Sequence, residues 1–255
     1  MIELKASREI GLLREAGRVV AEALATVRER ATVGVTLAEL DRVAAKVIEK
    51  AGATPAFLGY HPSWAPTPFP GVICASVNDA VVHGVPDRTR LADGDLVSID
   101  CGAFVDGWCG DAAISFVVGT PRPGDRALIA ATDAALDRGI AAAQPGSQLG
   151  DLGEAIGAPA RQSGYGLLAD HGGHGVGRAM HEDPFVPNEG RAGRGYRLRP
   201  GLVIALEPML ISDGTDEYRT GPDGWALRTA SGARAAHSEH TIAVTEHGPI
   251  VLTAL

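Results

Sequence analysis

Cysteine is scarce in this chain of 255 residues: Cys74, Cys101 and Cys109 are the full set of 3, with no C-x-x-C pair among them. An odd, unclustered set excludes a disulfide framework and a thiolate zinc site, and it fits a reducing, cytoplasmic compartment. Basic residues are also in deficit. The 23 Lys and Arg against 31 Asp and Glu leave a net charge of −8, which excludes a chain built mainly to neutralise nucleic-acid phosphates and sets DNA aside as a partner. Long apolar runs are missing, since no stretch approaches the roughly 18 residues of a membrane span. Glu3, Lys5, Arg8 and Glu9 interrupt the region where a secretion signal would carry its apolar stretch. The expectation is a cytoplasmic, soluble protein without a membrane partner.

What is present is ordinary globular material, 45% hydrophobic and 21% charged, long enough to bury a large core. Apolar positions at Ile10, Leu13, Ala16, Val20, Leu24 and Val27 recur every three or four residues and predict a helix over about 7–30. A second helix is expected to open at Thr36, with Glu39 completing a capping box, and to stop at Gly52. Further helices are expected near 125–143 and 148–163. Sliding the chain by 112 residues lays Gly34 on Gly146, Leu37 on Leu149, Leu40 on Leu152 and Gly52 on Gly164. The match is either a chance coincidence of common residues or the trace of an internal duplication. Strand-like segments fall at 72–77, 95–104, 108–118, 202–210 and 240–244, bounded by Gly, Pro and Asp. Strand runs alternating with helix pairs, with no polar linker between, predict one α+β domain over 1–255 built of two related halves, about 7–118 and 122–250.

Carboxylates occupy unusual places in these strands. Asp100 interrupts an apolar run, Asp111 precedes another, and Asp106-Gly107 between them is a two-residue hairpin signal. Counting back from that turn places Val105 opposite Trp108 and Asp111 opposite Gly102. Gly102 shares a sheet face with Asp100, because side chains alternate with period two. The two aspartates are then diagonal neighbours, roughly 7–8 Å apart along the backbone. Either that face is solvent-exposed, or a proton or cation sits between them; a one-residue bulge would flip Asp111 away. Glu207 follows the core-type run Leu202–Leu206, and Glu239 precedes another, at positions where an unpaired carboxylate is costly to bury.

His174 lies in the glycine-rich stretch 171–177, where an imidazole is accessible either as a ligand or as a plain surface histidine. No P-loop lysine follows, so a nucleotide loop is not indicated. Four carboxylates offset two divalent cations, with room for a hydroxide. Oxygen-rich ligation with one imidazole favours Mn, Fe, Co or Zn. Two such ions would suit a hydrolase.

The ordered set Asp100, Asp111, His174, Glu207 and Glu239, with His181 seven residues after His174, resembles type I methionine aminopeptidase in its short bacterial form. The strings Val82-His83-Gly84-Val85-Pro86, Asp106-Gly107-Trp108-Cys109-Gly110-Asp111, Gly173-His174-Gly175-Val176-Gly177-Arg178, Leu206-Glu207-Pro208-Met209 and Glu239-His240-Thr241 are similar to that family's blocks, and the likeness runs over nearly the whole chain. The resemblance implies a pseudo-twofold duplicated pita-bread fold, an antiparallel curved sheet covered by helices. It implies a dimetal aminopeptidase that hydrolytically removes the initiator methionine from nascent or newly made proteins with small second residues. By the same resemblance the five residues hold two divalent ions, Glu207 also shuttles a proton, and His83 and His181 contact substrate and steady the developing oxyanion. The methionine pocket maps onto Phe57, Tyr60, Phe69, Cys74, Met180 and Trp225. A monomer with at most transient ribosome contact is implied.

Departures stand beside the likeness. The stretch 61–69 is about six residues longer than the family spacing and carries Pro62, Pro66 and Pro68, which puts the placement of Phe69 in question. His171 is either an extra weak ligand or a solvent-facing residue. Arg191, Arg194, Arg197 and Arg199 form the one basic cluster, either a solvated loop or a contact for ribosomal RNA. A proline-directed aminopeptidase and a non-catalytic binding protein on the same scaffold are the competing readings. The first would need an extra N-terminal domain, and the second should have lost ligands that this chain keeps.

Overall fold

The structure, a computed structural model, describes residues 2–168 and 170–255. Four helices carry the expected periodicities: α1 (Ser7–Arg30), α2 (Leu37–Lys50), α3 (Asp125–Ala142) and α4 (Leu149–Gln162). The strands are β1 (Thr54–Pro55), β2 (Ile73–Val77), β3 (Ala80–Val82), β4 (Asp95–Val105), β5 (Trp108–Val118), β6 (Gly166–Leu167), β7 (Gly172–Gly175) and β8 (Glu182–Pro187). Then follow β9 (Val203–Leu206), β10 (Met209–Ile211), β11 (Tyr218–Thr220), β12 (Leu227–Thr229), β13 (Ala235–His237), β14 (Glu239–Thr245) and β15 (Gly248–Val251). A nine-stranded sheet runs β1-β4-β5-β14-β9-β7-β8, with β2 added on β4 and β15 on β14. Two three-stranded sheets, β13-β10-β6 and β11-β12-β3, complete the fold.

The two helix pairs are built alike. Thr36 caps α2, accepting from the Glu39 N–H while the Glu39 carboxylate accepts from the Thr36 N–H at 2.8 Å. At α4 the Asp151 carboxylate likewise accepts from the Gln148 N–H at 2.7 Å. Ahead of each helix a glycine turns in the left-handed region, Gly34 at φ 90 and Gly146 at φ 96. Their N–H groups donate to Leu91 and Leu198 carbonyls, and those leucines donate back to Val35 and Ser147.

Strand alternation decides which face of the large sheet meets the helices. Val97, Ile99, Cys101 and Ala103 of β4 cluster with Val20 and Leu24 of α1 and Leu40 and Ile48 of α2. Ile204, Leu206, Ile242 and Val244 cluster with Leu136 of α3 and Leu152 of α4. The intervening positions, Asp100, Gly102, Ala205 and Glu239 among them, therefore lie on the opposite face. Helix α1 lies very close to the sheet: a Cβ on Gly110 of β5 would meet the Gly17 nitrogen at 2.7 Å.

One expected strand is corrected. The run 202–210 is not continuous; β9 ends at Leu206 and β10 begins at Met209 in a different sheet. Pro208 has no N–H to donate to a ladder, so pairing stops there and the chain changes sheets. Strands β1, β3, β6 to β8, β11 to β13 and β15 lie outside the expected segments, because such short runs carry too little alternation to register.

Candidate metal centre and substrate cavity

The hairpin arithmetic holds residue by residue: Asp106 (φ 49) and Gly107 (φ 75) make the tight turn, Val105 pairs with Trp108, and Gly102 pairs with Asp111. No bulge intervenes between Asp100 and Asp111. Asp100 pairs with Ala113, and Ala113 pairs with Glu239 of β14. On its other side Asp100 pairs with Cys74 of β2. Cys74, Asp100, Ala113 and Glu239 thus form one row across four strands, on one face. The β14–β9 register, His240 to Leu206, carried one residue further sets Glu207 beside Glu239 at the break before Pro208. Gly175 pairs with Ile204, which brings the neighbouring His174 to the same face as Glu207. Thr241 locks the hairpin to β14: the Asp111 N–H donates to its Oγ1 at 3.1 Å, and its hydroxyl donates to the Asp111 carbonyl at 2.7 Å.

The ligand atoms of Asp111, His174 and Glu239 lie within 4.8 Å of one another. His174 Nε2 is 3.5 Å from Glu207 Oε1 and 3.9 Å from Asp111 Oδ2. The Gly175 carbonyl lies 3.0 Å from His174 Nδ1, which makes Nδ1 the protonated nitrogen and leaves the Nε2 lone pair facing the carboxylates. The Asp100 and Asp111 carboxyls lie close enough to act on one another's protonation. Burial raises the Asp100 carboxyl to about 7. Burial, and then the neighbouring carboxylates, raise Asp111 and Glu239 well above the usual range, and Glu207 follows through burial and Asp100. Burial holds His174 neutral, lowered to about 3.

The apolar end of the site is equally continuous. A cavity of about 200 Å3 is lined by all five of these residues together with His83, His181, Phe57, Tyr60, Phe69, Cys74, Met180 and Trp225. Phe69 packs edge-on against Phe57 (6.4 Å) and Trp225 (5.0 Å). The long 61–68 stretch does not displace it. The Phe69 N–H donates to the Tyr60 carbonyl and the Gly59 N–H to the Phe69 carbonyl, both at 2.8 Å, so residues 61–68 form a loop closed at its base. His181 stacks on Tyr60 (5.5 Å) and meets His174 at 4.1 Å. His83 sits at φ 59, in the left-handed region. It is held there by its neighbour Gly84, whose N–H donates to Ser76 Oγ at 3.1 Å. Burial lowers His83 to about 4, with His171 and His181 adding to the effect.

Two residues near this site escape the sequence reading. Trp64, on the 61–68 loop, lines the cavity; no motif marks it. His237 of β13 is buried with its Nε2 at 3.9 Å from both Glu207 Oε2 and Glu239 Oε2. Its position two before Glu239 was the available signal. His171 lines an adjoining outer cavity, its ring edge-on to Tyr218 at 5.1 Å. Arg191, Arg194, Arg197 and Arg199 are all exposed.

Residues 11–246 match the profile of metallopeptidase family M24. The chain belongs to that family. Within M24, it is 48% identical to methionine aminopeptidase 1 of Mycobacterium tuberculosis over 99% of this chain and 95% of that protein. It is 46% identical to methionine aminopeptidase of Aquifex aeolicus, over 100% of this chain and 99% of that one. The crystal structure of methionine aminopeptidase from Thermotoga maritima superposes with a TM-score of 0.95 at 38% identity, each chain covered in full. The fold is accordingly the pita-bread α+β fold of M24 enzymes, a curved antiparallel sheet backed by helices.

An M24 metallopeptidase binds divalent metal, and the residues here fit one. Asp100 Oδ1, Asp111 Oδ1 and Glu239 Oε1 are buried oxygens without a hydrogen-bond partner. Orphaned oxygens crowded this way are tolerated when a cation takes the place of the missing donors. Oxygen donors with one imidazole suit a first-row divalent ion. Among the described residues no helix is long and apolar enough to cross a membrane.

Proposed function

We propose that this chain removes the N-terminal methionine from peptides and newly made proteins with small second residues, as a hydrolytic methionine aminopeptidase. The observation that carries the proposal is the single row in which a pocket residue, Cys74, adjoins Asp100 and leads on to Glu239. A side chain seated in the apolar end has its own backbone held at the carboxylates. Phe57, Phe69, Cys74, Met180 and Trp225 offer aromatic and sulfur contacts that suit a flexible thioether. The cavity's small size favours one residue there.

Asp100, Asp111, His174, Glu207 and Glu239 would hold two divalent ions, Co, Mn, Fe or Zn. When bound, such ions supply Lewis acidity and ready a water for attack. Glu207 would take a proton from the attacking water and deliver it to the departing amine nitrogen; it lines the cavity beside His174 and His181, where the scissile amide would lie. His83 and His181 donate hydrogen bonds to the substrate's scissile amide and steady the charge that develops on its carbonyl oxygen. The active unit would be a cytoplasmic monomer formed by the halves 7–118 and 122–250, a division supported by the matched turns before α2 and α4. Transient ribosome contact through the exposed arginine cluster would bring it to nascent chains.

The test is hydrolysis of Met-Ala-Ser, against Xaa-Pro peptides, by protein loaded with defined metals. Cleavage of Met-Ala-Ser alone supports the assignment. An intact Met-Ala-Ser with every metal, or preference for Xaa-Pro, overturns it. Unchanged ribosome binding after replacing all four arginines removes the ribosomal contact.

A further inference from the structure

The proline-rich loop at 61–68 closes over the substrate cavity's rim. It brings Trp64, 59% exposed, to the mouth of the substrate cavity. Five residues line both that cavity and the outer cavity of about 370 Å3 beside it: Trp64, His83, His174, His181 and Glu207. They are the boundary a peptide crosses when its first residue lies in the apolar end and the rest leaves outward. Four of the five are polar groups assigned above to metal or proton chemistry. Trp64 alone offers an apolar surface.

That surface is held as a wall. The indole stacks over His83 with ring centroids 6.3 Å apart and planes 24° apart, and meets the edge of Trp225 at 5.0 Å. The loop beneath it is fixed at several points. The Ala65 N–H donates to the Pro62 carbonyl at 3.0 Å, His61 Nε2 lies 3.2 Å from the Ala65 carbonyl, and Trp225 Nε1–H donates to the Thr67 carbonyl at 3.1 Å. Pro66 is packed so closely on Gly224 that a Cβ there would sit 2.4 Å from its Cγ. Three prolines stiffen the remainder. A rigid wall rejects by size, since a large side chain cannot push it aside without breaking these contacts.

We infer that Trp64 is a specificity-determining residue that limits the size of the substrate's second side chain. The inference rests on the aminopeptidase function proposed above and adds to it which residue sets the second-position limit. A small second side chain passes between the indole and the chemical groups; a branched one collides with it.

The experiment compares kcat/KM on Met-Ala-Ser and Met-Leu-Ser for metal-loaded wild type, Trp64→Ala and Trp64→Phe. The ratio of the two substrates within one preparation is insensitive to how much of a variant is active. Trp64→Ala is expected to raise the Met-Leu-Ser to Met-Ala-Ser ratio about tenfold or more, the scale on which one apolar contact discriminates, and Trp64→Phe by less. A Trp64→Ala ratio within about threefold of wild type, with both peptides still cleaved, overturns the inference and leaves the aminopeptidase assignment standing. Wild type inert on both peptides overturns the two together.

Discussion

Lowering the pH should weaken metal binding steeply, and the structure sets the scale. In the metal-free site Asp100 holds its proton up to about 7. A bound cation requires that carboxylate ionised. At one pH unit below 7 the protonated form outnumbers the ionised form about ten to one, which costs metal binding roughly 1.4 kcal/mol. Asp111, Glu207 and Glu239 are raised further, so they add protons to be expelled. The apparent values belong to the cluster as a whole. His174 contributes nothing in this range, being neutral from about 3 upward. Affinity for Mn should therefore rise about tenfold or more per unit between pH 5 and 7 and continue rising above. Calorimetric titration at pH 5.5, 6.5 and 7.5, in two buffers of different ionisation heat, gives both the affinity and the protons released. Binding that is flat across this range, or that releases no proton, would refute the picture of carboxylates protonated for want of a cation.

The metal-free fold has its own pH signature. Histidines 83, 174 and 237, lowered to about 4, 3 and 3 by burial, take up protons on unfolding, so they stabilise the fold as pH rises toward 6.5. The raised carboxylates lose protons on unfolding, so stability falls as pH rises from about 4 through 7 and beyond. The two trends oppose each other up to about 6.5, and above it only the fall remains; metal-free protein melting higher at pH 8 than at 6.5 in scanning calorimetry would contradict this. Glu207→Gln should lower kcat by about 10²–10⁴, read in a Met-Ala-Ser assay. His181→Ala should lower kcat/KM by about 10² or more with bound metal unchanged by elemental analysis; loss of metal would count against its role. In Gly17→Ala the added Cβ would stand 2.3 Å from the Leu252 carbonyl oxygen, costing about 1–3 kcal/mol, seen as a lowered Tm with little change in kcat.

Much of this was legible in the chain because its signals are local and redundant. The amphipathic period of α1 and the capping box at Thr36 each predict an element on their own. A two-residue turn at Asp106-Gly107 fixes a register for eleven residues on either side, and that register carries Asp111 to the face of Asp100. What was not legible depends on distant partners. The change of sheet at Glu207 requires knowing that Met209 to Ile211 pairs with β13 and β6. Trp64 reaches the cavity only because Trp225 and Gly224, far along the chain, receive its loop. His237 offers only its position two before Glu239, and its place beside two glutamates depends on β13 pairing with β10 in a separate sheet.

The row from Cys74 through Asp100 to Glu239 works as a ruler graduated in strand spacings of about 4.8 Å. Because its marks are backbone hydrogen bonds in adjacent strands, the reach from side-chain slot to cutting point is set by the most rigid part of the molecule. Loops around the rim are free to diverge without altering that reach. Selectivity differences among relatives of this chain, and footholds for selective inhibitors, should therefore be sought at the rim, where the proline-rich loop lies, and not along the ladder.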